Sequence, residues 1–112
     1  MPINQKRLHE RINTPQTRAT LTVINGGLEF EVEVANISHS GLAILSKEAV
    51  TKGSQIRIQL SEISRLNLAV IYCVSLKPAS NGYLFQVGAR VSDKDSESQS
   101  QLIGFKKSVL KI

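Results

Sequence analysis

Asn25-Gly26-Gly27-Leu28-Glu29-Phe30-Glu31-Val32-Glu33-Val34 is the most regular stretch of this 112-residue chain. Leu28, Phe30, Val32 and Val34 alternate with Glu29, Glu31 and Glu33. A period of two with opposite chemistry on the two faces is the pattern of an antiparallel strand, one face in a core and one in water. The three glutamates therefore read as a solvated strand face, not as acid catalysts. The Asn-Gly step in front of them supplies the positive φ angles of a tight hairpin. A partner strand is expected upstream, in the β-rich run from Arg18 to Ile24.

Downstream the same logic recurs. Gly41 to Leu45 reads as a short strand, and Lys52-Gly53-Ser54 as a turn. Gln55 to Leu60 alternates through Ile56, Ile58 and Leu60. Leu66 to Leu76 reads as a long strand with Leu68, Val70, Tyr72 and Val74 on one face and Ala69, Ile71 and Cys73 on the other. Asn81-Gly82 marks a second hairpin, and Tyr83 to Val91 returns as a strand. The period then changes. Ser92, Asp93, Asp95 and Ser96 are residue types that cap helix N-termini. Leu102, Phe105 and Val109, with Ile103, Lys106 and Leu110, recur at helical spacing, and Lys106, Lys107 and Lys111 suit the negative end of the helix dipole. Gly104 weakens that helix by roughly 1 kcal/mol. About six strands followed by one helix predict an all-β fold with a C-terminal helix: an antiparallel barrel or strongly curled sheet.

Length and composition set the bounds. One domain is expected over residues 17–112, preceded by a polar arm over residues 1–16 that carries Pro2 and Pro15. Cys73 is the only cysteine, which excludes an intrachain disulfide and a cysteine metal cluster; it reads as a small buried hydrophobe. No apolar run opens the chain and none approaches the roughly 20 residues of a membrane span, so a cytoplasmic protein without membrane insertion is expected. The net charge is +5, from 14 basic and 9 acidic residues. Lys6, Arg7, Arg11 and Arg18 gather near the start, opposed there only by Glu10. A basic arm of this kind favours an anion: nucleic acid, a membrane headgroup or a phosphorylated small molecule.

Two short patterns carry chemistry. Arg7-Leu8-His9-Glu10-Arg11 is an Arg-x-x-x-Arg within the arm. Asn36-Ile37-Ser38-His39-Ser40-Gly41 has the form [Asp/Asn]-x-Ser-x-x-Gly and lies between two expected strands. Guanidinium groups are planar and permanently charged; they grip phosphate oxygens with two parallel bonds and stack on purine rings. Asn36 and Ser38 each offer donors and acceptors suited to a base edge. Gly41 permits positive φ or close approach of the backbone to a ligand. Taken singly, the first pattern is common in basic segments, and the second could be a simple turn.

In this order the pair resembles the signature of the PilZ family, whose members bind cyclic di-GMP. The resemblance covers most of the chain: Gly53 before a strand, the strand through Val70 to Val74, and Gly88-Ala89-Arg90-Val91 follow the usual PilZ course. It implies a six-stranded antiparallel barrel plus a C-terminal helix. It assigns ligand binding to Arg7, Arg11, Asn36, Ser38 and Gly41, with Lys6, His39 and Arg90 as further candidates. Asn36 stands where Asp is commoner, Lys6 where many members have another arginine, and Val91 where Phe is frequent. The Lys6 difference leaves open one bound ligand or an intercalated pair.

The expected function is a cyclic di-GMP receptor or adaptor, without cofactor, that changes conformation on binding and signals to an unidentified protein effector as a monomer or homodimer. The arm is expected to become ordered over the ligand. The alternative is a degenerate PilZ scaffold that binds proteins and no nucleotide. A DNA- or RNA-binding barrel would want stacking aromatics, and the chain offers only Phe30, Phe85, Phe105, Tyr72 and Tyr83. No catalytic or metal site is expected. Ser38 and His39 are strand neighbours pointing to opposite faces, unlike a nucleophile and its base, and His9 and His39 lack further ligands. Either histidine is a candidate for base stacking.

Overall fold

In the computed structural model, backbone is described for residues 12–61 and 64–110, and side chains for 17–61, 64–79 and 81–108. Six strands precede one helix: β1 (Ile12–Val23), β2 (Glu29–Ile37), β3 (Gly41–Ser46), β4 (Gln55–Gln59), β5 (Arg65–Ser80), β6 (Tyr83–Arg90) and α1 (Ser96–Leu110). The strands close into an antiparallel barrel in the order β1-β2-β3-β6-β5-β4, sealed where Thr20–Val23 of β1 pair with β4. No helix among the described residues is long and apolar enough to cross a membrane.

The alternating residues fill the barrel. Leu21 of β1, Val32 and Val34 of β2, Ile44 of β3, Ile56 and Ile58 of β4, Leu66 and Leu68 of β5 and Val87 of β6 are all buried. Full burial of such a side chain contributes about 1.5–3 kcal/mol. The glutamates face outward as expected: Glu29 and Glu31 are exposed and Glu33 is partly so. Register sets Arg18 opposite Glu33. Leu28 does not join the strand; it sits in the hairpin and is 63% exposed.

The two hairpins differ from each other. Asn81 and Gly82 both take positive φ, 51° and 86°, and join Ser80 to Tyr83; this two-residue turn matches the twist of its strands. At Asn25-Gly26-Gly27 the tight Asn-Gly turn is not formed. The loop closes from Val23 to Leu28, whose carbonyl accepts the Val23 N–H at 2.8 Å, and the positive φ falls on Gly27. A second glycine lets the loop lengthen by placing its left-handed residue last.

β1 also begins earlier than the alternation suggests. Residues 12–16, read from sequence as part of the polar arm, belong to the strand, where Ile12 pairs with Ile37 and Asn13 with Asn36. A register shift between Asn13 and Thr17 interrupts the ladder. Pro15 lies within it and can donate no ladder bond, which suits such an interruption.

The helix is attached at its first turn. The Asp95 carboxylate accepts the Ser98 N–H at 3.0 Å, and the Ser98 hydroxyl accepts the Asn67 N–H of β5 at 2.9 Å. Leu102 is buried and Phe105 packs against the core, while Ile103 stays exposed. The bonds from Ser98 hold the Asp95 carboxyl below its ordinary 3.8. A lowered folded-state value stabilises the protein above the unfolded value, and the contribution is lost as pH falls through the folded one. Asp95→Ala is therefore expected to lower the melting temperature at neutral pH, with mutant and wild-type melts converging well below pH 3.8. An equal gap at all pH values would show that the carboxylate charge is irrelevant to the cap.

Candidate functional site

Asn36 continues the even-numbered phase of Val32 and Val34, the phase of the core. A polar amide there would be buried without compensation, and a β-bulge prevents it. The β2–β3 register shifts between Val34 and Asn36, which turns Asn36 away from the interior and lets Ile37 into it. Ile37 is fully buried and Asn36 half-buried. One extra residue in a strand re-aims every side chain after it. The break was visible in the sequence as a polar residue on the core phase followed at once by isoleucine.

A second bulge lies across the barrel. The β5–β6 register shifts between Val70 and Tyr72, so Tyr72 and Val74 leave the face that holds Leu68 and Val70, and Cys73 packs on the core in their place. This corrects the assignment of Tyr72 and Val74 to the core face. Tyr72 lies over Gly88, where any Cβ would strike its ring, and its hydroxyl accepts a hydrogen bond from Gln86 Nε2 at 3.0 Å. The two bulges fall in one row of the sheet. Asn36 pairs with Ala43, Ala43 with Gly88, and Gly88 with Tyr72.

Beyond that row the β2–β3 turn is stitched to the end of β6. The Ser38 N–H donates to the Gly41 carbonyl at 2.9 Å, and the Ser38 hydroxyl reaches the same oxygen at 3.4 Å. The Ser40 carbonyl accepts the Val91 N–H at 2.8 Å, and Gly41 pairs with Arg90. Gly41 is needed for close approach of strands: a Cβ there would collide with the Ala89 carbonyl oxygen. The long Ser38 hydroxyl bond leaves that oxygen able to accept from a partner.

The fold therefore brings Asn36, Ser38, His39, Gly41 and Arg90 to one end of β2, β3 and β6. Ser38 is half-buried; His39 and Arg90 are exposed. Arg90 contributes a permanent cation beside the turn. Lys6, Arg7, His9 and Arg11 lie outside the described residues. The chain enters the barrel at this end, since Ile12 pairs with Ile37, the residue before Ser38.

The architecture is that of known proteins. The cyclic di-GMP complex of MrkH from K. pneumonia superposes with a TM-score of 0.71 at 14% identity, covering 97% of this chain and 55% of MrkH. The PilZ domain of YcgR from Escherichia coli, solved with cyclic di-GMP, gives 0.70 at 15% identity, covering 96% of this chain and 93% of that one. The PilZ domain of CeSA from a cellulose-synthesizing bacterium gives 0.56 at 14% identity, with 91% and 96% covered. At these identities the likeness is one of fold. This chain spans about half the length of MrkH and nearly all of the YcgR domain. No curated protein matches it in sequence. The sequence pattern of the PilZ domain, a family of cyclic di-GMP receptors, matches residues 5–108, which include both motifs and all six strands. The chain belongs to the PilZ domain family.

Proposed function

We propose that the chain is a receptor for cyclic di-GMP that binds the nucleotide without transforming it and passes the signal to a protein partner. The observation that carries this reading is the pairing of Ile12 with Ile37. It brings the point where Arg7-x-x-x-Arg11 joins the barrel beside Asn36-x-Ser38-x-x-Gly41. On this reading, phosphate-gripping groups from the sequence before Ile12 act together with base-reading groups around Ile37. Arg7 and Arg11 hold the phosphates, Asn36 and Ser38 read a base edge, Arg90 adds positive charge, and Lys6 and His39 stand close in sequence to these groups. Arm ordering over the ligand changes the surface offered to the partner.

A calorimetric titration with cyclic di-GMP tests the reading and gives affinity and stoichiometry together. Ser38→Ala and Asn36→Ala should each weaken binding by about 0.5–1.5 kcal/mol, the usual contribution of a neutral hydrogen bond, with thermal melts close to wild type. Wild-type affinity in both variants would return the segment to a plain turn. Chromatography after prolonged incubation should recover the cyclic dinucleotide intact. A linear product that grows with protein concentration would contradict a purely binding role.

A further inference from the structure

The outer face of β2, β1 and β4 carries its charges in columns. Strand register lines up Glu29, Thr22 and Arg57 in one row and Glu31, Thr20 and Gln59 in the next, with Arg65 of β5 beyond Gln59. These side chains point outward, because their sequence neighbours Leu21, Val32, Ile58 and Leu66 fill the barrel. Carboxylates thus stand on one side of β1 and guanidiniums on the other, with threonines between. A trough of about 590 Å³ runs along β1 between the two walls. Glu29 and Arg57 are two strands apart, roughly 10 Å, and neither Glu29 nor Glu31 makes an ion pair among the described residues. Arg57 donates from Nε to the Asn67 side-chain oxygen at 3.3 Å, which leaves its terminal N–H groups to donate elsewhere. At the hairpin end of the face Ile24 and Leu28 are 43% and 63% exposed. The Ile24 N–H donates to the Gln55 carbonyl at 2.9 Å, which keeps Ile24 beside β4 at the end of the Thr20–Thr22 column.

We propose that this face is the contact between two copies of the chain. A two-fold axis lying along β1 turns the second copy so that its basic column faces the acidic column of the first. Glu29 of each copy then meets Arg57 of the other, twice over, and Glu31 meets Gln59 with Arg65 behind it. The same face serves both copies, as a closed two-fold contact requires. The barrel curves away on either side of β1, so the short threonines permit close approach at the axis and the long glutamates and arginines span the widening gap. The axis also brings the two Ile24 side chains together, with Leu28 nearby, and so covers the most exposed apolar groups of this end of the barrel. Other two-fold orientations set glutamate against glutamate.

Three strands spaced about 4.8 Å apart offer a narrow face, below the roughly 1,200 Å² of total surface that a stable complex buries. The dimer is therefore a weak one, favoured by concentration and opposed by salt. It leaves the candidate site open, because Glu29 lies at the opposite end of β2 from Ile37.

Analytical ultracentrifugation of the full chain over a concentration series tests the proposal. Wild type should self-associate at low salt and dissociate toward monomer at about 1 M salt, where the screening length is only about 3 Å. Glu29→Arg sets arginine against Arg57 at both contacts, and Arg57→Glu sets glutamate against Glu29 at both. Each should weaken association at least about tenfold, since like charges brought together oppose binding strongly, with thermal melts confirming that the variants are folded. An equimolar mixture of the two variants should associate again, because both contacts become opposite-charge pairs, and so should the double variant Glu29→Arg/Arg57→Glu alone. A wild type that stays monomeric throughout would overturn the proposal. So would unchanged association in the single variants, or a mixture as monomeric as its components.

Discussion

Gly41→Ala is expected to destabilise the protein by about 3 kcal/mol, at the upper end of what overpacking usually costs. For a domain of this size that lowers the melting temperature by roughly 10–20 °C. The alanine methyl would collide with the Ala89 carbonyl oxygen and come within 3.1 Å of both the Ala89 carbonyl carbon and Arg90 Cα. All three are backbone atoms of β6, so no side-chain rotation relieves the contact. Relief requires β3 and β6 to separate where Gly41 pairs with Arg90, next to the bond from Val91 N–H to Ser40. The glycine of the [Asp/Asn]-x-Ser-x-x-Gly pattern thus has a reason to exist before any ligand arrives. Thermal or urea unfolding of the ligand-free variant checks this, with Ser38→Ala as the comparison that should melt like wild type. An unchanged midpoint in Gly41→Ala would mean that β3 and β6 adjust at no cost.

The barrel was legible because its strands keep one period for long enough to be seen. Phe30, Val32 and Val34 against Glu29, Glu31 and Glu33 leave one physical reading, and Asn81-Gly82 leaves one turn. What the alternation concealed were its interruptions. A simple period of two places Tyr72 and Val74 with Val70; the bulge at Ile71 reverses them, because an extra residue costs a strand only a local break in its ladder. Asn36 showed the same break in its polarity, since an amide on the core phase signals a change of direction. Residues 12–16 were less readable. Asn13, Thr14 and Gln16 are polar, and Pro15 argues against a strand interior, yet Ile12 and Asn13 are paired by β2. Tertiary pairing overrode local propensity there. For the candidate site, motif spacing singled out Asn36, Ser38 and Gly41, and the course of β6 singled out Arg90; the fold sets all four at one end of β2, β3 and β6.

The largest loss of binding is expected from Arg7→Ala/Arg11→Ala. Cyclic di-GMP carries two phosphates, each able to accept parallel bonds from a guanidinium. A hydrogen bond to a charged group contributes about 1.5–3 kcal/mol, against about 1 for a neutral one. Losing both arginines should therefore cost roughly 3–6 kcal/mol, a fall in affinity of about a hundredfold to ten-thousandfold. Ser38→Ala removes one neutral bond and should cost several times less. The ligand-free double variant should melt close to wild type, because neither arginine lies in the alternating apolar pattern of the sequence. Salt supplies an independent readout. Charge–charge attraction weakens as the screening length shortens, from about 10 Å at 0.1 M to about 3 Å at 1 M. Wild-type affinity should thus fall with added salt, and the double variant should respond less steeply because two of the cations are gone. Titrations at two salt concentrations, on wild type and the double variant, give both quantities. Wild-type affinity in the double variant would remove the arm from the site and leave Arg90 as the cation facing the phosphates. A salt response as steep as that of wild type would mean that the arginines act through shape, not charge.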